Sequence, residues 1–148
     1  MKATGTFRPT KWDEKTIDQI SIQQKMTKAS VILTFDKGGA IEGEADVEWL
    51  MFYSHADEKD QHNSMASYIG LIRFIGSLNG KSGSFVMDDR GTFEAGEAKS
   101  EMVIVAGSGT GELVGITGTA ESRSSANKAS FEIEYELKGV VAIGPILA

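Results

Sequence analysis

The sequence predicts an all-β protein, a closed antiparallel barrel of eight strands, from three observations. Apolar and polar residues alternate with a period of two along most of the chain, as in strands with one buried face. Turn-forming residues separate these segments, and the chain has 17 glycines but only two prolines. The alternating segments number eight, which is enough to close a barrel.

Each predicted strand is an alternating segment that ends at turn-forming residues. The eight strands span residues 2–7, 25–36, 41–53, 64–78, 83–88, 92–105 with a break near Gly96, 116–121 and 129–137. Glycine-containing turns are predicted at residues 36–39, 79–80 and 89–91, where glycine allows a positive φ. Residues 11–24 show no clean helical face, so we expect a loop with one helical turn there. Residues 55–63 are expected to form a solvated acidic loop.

Length and composition fit a single domain and exclude several classes of protein. The 148 residues, 41% of them hydrophobic, can bury one core, and no linker divides them, so residues 1–148 are expected to form one barrel domain. A formal net charge of −6 disfavours nucleic acids and membrane surfaces as partners. The absence of cysteine excludes disulfides, thiol nucleophiles and zinc ribbons. Because we find no signal peptide and no apolar run of roughly 20 residues, we expect a cytoplasmic protein.

A glycine-rich stretch at residues 107–118, GSGTGELVGITG, is similar to a phosphate-binding loop in composition only. A Walker loop needs a lysine and then a hydroxyl residue, but Glu112 and Leu113 follow Gly111 here. The dinucleotide-binding fingerprint does not fit either, because no strand-to-helix unit surrounds the glycines. We interpret the stretch as a connection into the last hairpin, and we expect no cofactor.

The pairing of the third, fourth and fifth strands follows from their turns. A two-residue turn at Asn79-Gly80 sets the register of the fourth and fifth strands, and pairing their inner face with that of the third strand requires a loop centred near Lys59. The predicted pairs are Leu78 with Lys81, Gly76 with Gly83, Phe74 with Phe85, Ile72 with Met87, Trp49 with Gly70, Ala45 with Phe74, and Asp46 with Arg73. Large side chains then meet small ones inside the barrel.

This register leaves many apolar residues on the outer face. They are Leu50, Phe52, Ile69, Leu71 and Ile75. A contiguous exposed apolar patch usually marks an interface, so we expect a homo-oligomer, most simply a two-fold dimer.

Aromatic residues on the predicted inner face can line a ligand cavity or pack as a core. Each tyrosine offers a hydroxyl that can orient a mostly apolar guest. The candidate ligand-binding residues are Trp49, Tyr53, Tyr68 and Tyr135.

Two polar groups are alternative sites. The first is a stripe of acids at alternate positions of the third strand, Glu42, Glu44, Asp46 and Glu48. We interpret the stripe as solvated, although a register shift of one residue would turn these acids inward as paired carboxylates. The second is the acidic loop flanked by His55 and His62, which we interpret as a charged loop tip; no metal is expected.

Four segments carry a resemblance to a known family. They are IEGEADVEWLMFY, SYIGLIRFIGSLNGKSGSFVM, GTFEAG and GSGTGELVGITG. Together they resemble the DUF3224 family of uncharacterised bacterial proteins, and the similarity extends over residues 4–137. The resemblance implies a closed antiparallel barrel similar to that of allene oxide cyclase and its dirigent relatives. It implies no particular activity, because the family has none established.

Three functions are compatible with such a barrel. The first is binding of a small, largely apolar molecule in the barrel interior. The alternative, which the resemblance to allene oxide cyclase implies, is an isomerase or cyclase that confines a reactive substrate. The third is a filled barrel that acts as a structural or interaction module. An inward-facing carboxylate or histidine with a raised pKa would favour the enzyme, whereas an interior without space for more than a few waters would exclude both ligand-based functions.

Overall fold

A computed structural model describes residues 1–126 and 128–137 of the chain, so residues 138–148 of the predicted domain lie outside the described part. The strands are β1 (Lys2–Gln19), β2 (Lys25–Phe35), β3 (Ile41–His55), β4 (Met65–Leu78), β5 (Lys81–Glu94), β6 (Glu97–Ile104), β7 (Thr110–Gly111), β8 (Ile116–Ser124) and β9 (Ala129–Leu137). A short 3-10 helix spans Gln61–Asn63. Within the described residues, no helix has the length and apolar character that a membrane span requires.

Eight of the strands form one antiparallel ring, which we call the strand ring. Its order is β1-β2-β3-β4-β5-β6-β8-β9, and β9 pairs with β1 to complete it. The ninth strand, β7, is only two residues long and pairs with the start of β5. The all-β fold and the eight antiparallel strands are therefore confirmed, and β7 is an additional short strand.

The predicted pairing of β3, β4 and β5 is confirmed. The observed pairs include Trp49 with Gly70, Ala45 with Phe74, Asp46 with Arg73, Phe74 with Phe85, Ile72 with Met87, Gly76 with Gly83, and Leu78 with Lys81. Asn79 and Gly80 have φ values of 49° and 85°, as a two-residue hairpin turn requires. The acidic stripe from Glu42 to Glu48 is consequently exposed on the outside of the strand ring.

The predicted loop at residues 11–24 is wrong for most of its length. β1 continues to Gln19 and pairs with β2 as far as Lys25, with register shifts after Pro9 and Thr16. Most of this extension is exposed, and even Trp12 and Ile17 are 50% and 55% exposed. Hydrogen bonds to β2 rather than burial of one face hold the strand, so its sequence lacks the alternation on which the prediction depended.

The predicted turn at residues 89–91 is also wrong. β5 continues through this segment, and the chain reverses at Ala95 and Gly96, whose φ values are 53° and 76°. Asp89 and Gly91 are buried at inward positions of the strand. A Cβ atom at Gly91 would overlap the side chain of Tyr68, so this glycine provides space for an aromatic ring instead of a turn.

The two ends of the strand ring differ in their filling. At the end near the Asn79-Gly80 turn, Ile41, Leu78 and Ile116 are each 1% exposed. The glycine-rich connection at residues 107–118 folds against this end, and its Leu113 is 0% exposed. This end is therefore closed by apolar packing, which leaves the opposite end, where β4 begins and β5 ends, as the entrance to the interior.

Candidate functional site

A cavity of about 420 Å³ lies inside the strand ring, towards the end at which β4 begins. Its lining is mostly apolar and includes Trp49, Met51, Ile72, Met87, Phe93 and Met102. The volume lies in the range of small-molecule sites, roughly 300 to 1,000 Å³. It also far exceeds the space of a few waters, each of which takes about 30 Å³ in the liquid.

Asp89 is a buried charged residue in this lining, and it is 4% exposed. The alternation of β5 turns Asp89 inward together with Met87, while Asp88 and Arg90 are exposed on the outer face. The indole Nε1 of Trp49 donates a hydrogen bond of 2.7 Å to Asp89 Oδ2. The other oxygen, Oδ1, is buried and accepts no hydrogen bond from the described residues.

Burial raises the pKa of Asp89 to about 6, because the charged carboxylate loses its hydration. The Trp49 indole and the nearby Ser100 hydroxyl lower the pKa, but less than burial raises it. Asp89 therefore gains or loses its proton between weakly acidic and neutral pH. A carboxyl group with such a pKa can accept a ligand donor and can also exchange a proton with a bound molecule.

Tyr68 stands next to this carboxylate in the cavity wall. Its hydroxyl donates to the Lys99 carbonyl oxygen at 3.3 Å and lies 2.6 Å from the Ser100 hydroxyl oxygen, with which it shares a hydrogen bond. Burial raises the pKa of Tyr68 to about 12, so the phenol stays protonated at neutral pH. The side-chain rings of Trp49 and Tyr68 pack with 5.3 Å between their centroids, which fixes this part of the wall.

The structure brings together two of the four predicted ligand-binding residues. Trp49 and Tyr68 both line the cavity. Tyr53 lines a second pocket, of about 460 Å³, which lies beside the cavity and shares Trp12, Met51, Gln61 and Phe93 with it. Tyr135 lies at the closed end of the strand ring, where its hydroxyl accepts a hydrogen bond of 2.7 Å from Asn79 Nδ2.

The second pocket is organised around Glu14, in the part of β1 that was predicted to be a loop. Glu14 Oε2 accepts hydrogen bonds from the hydroxyls of Tyr53, at 2.6 Å, and Thr27, at 2.7 Å. Its Oε1 accepts one from Trp12 Nε1 at 3.1 Å. Burial and the hydrogen bond with Glu14 raise the pKa of Tyr53 above its usual value. In contrast to Asp89, both oxygens of Glu14 have donors within the protein.

The loop between β3 and β4 covers part of the cavity mouth. Gln61 and His62 of the 3-10 helix line the cavity, although both are largely exposed. The His62 side chain lies against Gly96, where a Cβ atom would collide with the imidazole ring. No group of three His, Cys, Asp or Glu side chains that could hold a metal ion is found in residues 1–126 and 128–137.

Sequence reasoning missed Asp89, although the sequence contained a signal for it. The alternation of Phe85 and Met87 continues through Asp89 and Gly91 to Phe93, which is the pattern of one long strand. The Asp-Asp-Arg-Gly sequence favoured a turn because these residue types are common in turns. A continuation of the period of two would have placed Asp89 inside.

Comparison with known proteins identifies the family. The family described as "Protein of unknown function (DUF3224)" matches residues 3–135. The chain belongs to the DUF3224 family. A crystal structure of a DUF3224 protein of unknown function from Shewanella oneidensis MR-1 is similar to it, with a TM-score of 0.68 and 22% sequence identity over 93% of this chain and 98% of that chain. No curated protein matches the chain. The cavity is therefore the feature of this DUF3224 protein that bears on its function.

Proposed function

We propose that this DUF3224 protein binds a small, largely apolar molecule inside the strand ring. The observation that carries the proposal is the cavity of about 420 Å³ with its mostly apolar lining. Transfer of an apolar molecule from water to such a lining is favourable, and the closed far end limits its length. Trp49 and Tyr68 are the predicted site residues that this proposal uses. We also propose that the strand ring is a closed barrel of the allene oxide cyclase type, and the ring of eight antiparallel strands supports this.

The test uses a variant that fills the cavity without changing the charge. Ser122 lines the cavity, so Ser122→Phe should occupy it, whereas Thr119 on the same strand is exposed and Thr119→Phe serves as the control. We expect uptake of 2-naphthol, a small and largely apolar probe, in wild type and Thr119→Phe and at least about tenfold weaker uptake in Ser122→Phe, as measured by quenching of tryptophan fluorescence. Equal uptake by all three proteins, or none by the wild type, would contradict the proposal.

A second candidate function is an isomerase or cyclase. It requires binding in the same cavity, and the inward-facing carboxyl group of Asp89, with its raised pKa, is the observation that favours it over binding alone. A carboxyl group with a pKa of about 6 faces an apolar cavity, which is the arrangement of a general acid or base. In such a reaction Asp89 would take a proton from one carbon of the substrate and return it to another, so that product and substrate have equal mass. Native mass spectrometry followed by chromatography of any released molecule would detect such a pair of isomers.

We also propose that two copies of the protein pair through the outer face of β3 and β4. Leu50, Ile69, Leu71 and Ile75 are each between 46% and 55% exposed there, while Phe52 is partly covered. A face of this kind is costly to leave in water.

The charges beside these residues support a second copy of this chain as the occupant. One row across the strands runs Lys28, Leu50, Ile69, Arg90, and the next row runs Ser30, Glu48, Leu71, Asp88. The first row thus contains two cations and the second contains two anions. A two-fold axis that lies between the two rows and parallel to them would set Arg90 of one copy over Asp88 of the other and Ile69 over Leu71. The same axis sets Leu50 over Glu48.

A further inference from the structure

Asp89 lines the cavity, and its Oδ1 is a buried acceptor without a donor. Among the described residues, Oδ1 of Asp89 is the only buried side-chain oxygen or nitrogen atom without a hydrogen-bond partner. Buried polar atoms in folded proteins nearly always have a partner, because an unmet acceptor loses its hydration without replacement. This cost is higher for a carboxylate than for a neutral group, so a buried carboxylate oxygen without a donor destabilises the folded protein.

The protein's neighbouring donors are already engaged. The indole of Trp49 has a single N–H, and it points to Asp89 Oδ2 at 2.7 Å. The hydroxyls of Tyr68 and Ser100 are hydrogen-bonded to each other at 2.6 Å. The side chain of Arg90, the next residue of β5, is exposed on the outer face. Its main-chain N–H and the Ser100 hydroxyl lower the pKa of Asp89, but neither makes a hydrogen bond to Oδ1. A donor for Oδ1 can come from a molecule in the cavity that Asp89 lines, once the carboxyl group rotates to expose this oxygen.

Building on the proposed binding function, we infer that the ligand has a hydrogen-bond donor, a hydroxyl or an N–H group, at one end of an otherwise apolar body, and that this donor binds Asp89 Oδ1. Alcohols, phenols, amines and N–H heterocycles belong to this class. Fatty acids and other anionic amphiphiles do not, because a carboxylate or phosphate would be repelled by Asp89 and would bring no donor to it.

The rest of the lining fits the apolar body of such a ligand. Met51, Met87 and Met102 line the cavity, and unbranched methionine side chains adapt to guests of different shape. Trp49 fixes the carboxylate while its own side-chain ring packs against Tyr68, so the acceptor stands on a rigid wall. The site therefore combines one directional polar contact with an adaptable apolar surface.

The test compares two probes that differ in one donor. 2-Naphthol offers a hydroxyl, whereas 2-methoxynaphthalene has the same aromatic body without the donor. Isothermal titration calorimetry is done with wild type, Asp89→Asn and Asp13→Asn, where the exposed Asp13 provides the same chemical change away from the cavity. We expect wild type and Asp13→Asn to bind 2-naphthol at least about tenfold more tightly than 2-methoxynaphthalene, because hydrogen bonds to charged groups are strong. Asp89→Asn should bind the two probes with equal affinity.

Each result decides the inference. Equal binding of the two probes by the wild type would overturn the required donor and leave the proposed binding function standing, whereas binding of neither would overturn both. A preference kept by Asp89→Asn would also overturn the assignment to Asp89. If Asp89→Asn does not fold, as judged by circular dichroism, the wild type alone is tested with 2-naphthoate: binding at least about tenfold weaker than that of 2-naphthol supports the inference, and equal binding overturns it.

Discussion

At the scale of single residues, Asp89 is the position where the sequence departs most from what stability alone would favour. An apolar residue between Met87 and Gly91 would pack in the same place without loss of hydration. Instead, the chain buries a carboxyl group that accepts a hydrogen bond from Trp49, and the nearby Ser100 hydroxyl and Arg90 main-chain N–H also favour its charged form. A buried ionisable group that lowers stability is typical of functional sites, where such a group binds a ligand or transfers a proton.

The raised pKa of Asp89 predicts a pH dependence of stability. Folding raises this pKa from 3.8 to about 6, so the native state holds the proton more tightly than the unfolded chain. The stabilising contribution is complete below about pH 4 and is lost as the pH rises through 6. Relative to Asp89→Asn, the unfolding free energy of the wild type should fall by up to about 3 kcal/mol between pH 4 and pH 7, as measured by urea denaturation.

The control for this pH series is Asp13→Asn, since Asp13 is exposed on β1. Its unfolding free energy should change with pH in parallel with that of the wild type. Parallel curves for the wild type and Asp89→Asn across the same range would contradict the assignment of the titration to Asp89.

At the scale of elements, the sequence was sufficient where strands have one buried and one exposed face. The register of β3, β4 and β5 followed from their alternation and from the Asn79-Gly80 turn, because a slip of one residue would have turned the buried set outward. The sequence did not predict the extension of β1, because main-chain hydrogen bonds hold this segment with little burial. At residues 89–91, the residue types favoured a turn whereas the alternation predicted a continuous strand, and the structure has the strand.

The role of Gly91 in β5 can be tested by adding one methyl group. Gly91→Ala should destabilise the protein by about 1 to 3 kcal/mol, because the new Cβ overlaps the Tyr68 side chain and the main-chain carbonyl oxygen of Lys99. Gly39→Ala is the control, since the nearest atoms to its Cβ would lie 3.9 Å away, and its effect should stay within about 0.5 kcal/mol. Urea unfolding measures both effects. Equal stability of the two variants would show that neither Tyr68 nor the Lys99 carbonyl group needs the space at Gly91.

At the scale of the whole molecule, the alternation of apolar and polar residues predicts on which side of the sheet a side chain lies. It does not predict the position of the side chain along the axis of the strand ring, which we call its height. Trp49, Tyr68 and Tyr135 were all expected inside, yet only the first two line the cavity, while Tyr135 is at the closed end. Height depends on strand stagger around the whole ring, which involves pairings between distant segments such as β1 and β9. For this reason the sequence predicted which residues face the interior, but it predicted only some of the residues that line the cavity.

The cavity also depends on how the ends of the strand ring are closed, which involves segments outside the ring. Leu113 of the glycine-rich connection is completely buried at one end, while Gln61 and His62 cover part of the other. Neither contact follows from a period of two. The glycines at residues 107–118 thus contribute to the shape of the binding space, although the sequence indicated only a connection.

Pairing of two copies through the outer face is the prediction at this scale. We expect light scattering to show a dimer for the wild type and a folded monomer for Leu71→Glu, because a buried charge at this position would be unpaired. Val114→Glu adds the same charge to an exposed residue outside this face and should remain dimeric.

A charge swap tests the two-fold arrangement. Arg90→Asp should weaken the dimer, because it places two acidic side chains opposite each other. Adding Asp88→Arg should restore the dimer, because each position then again faces the opposite charge. A monomeric wild type would refute the pairing itself, and a double variant as weak as Arg90→Asp would refute the two-fold arrangement.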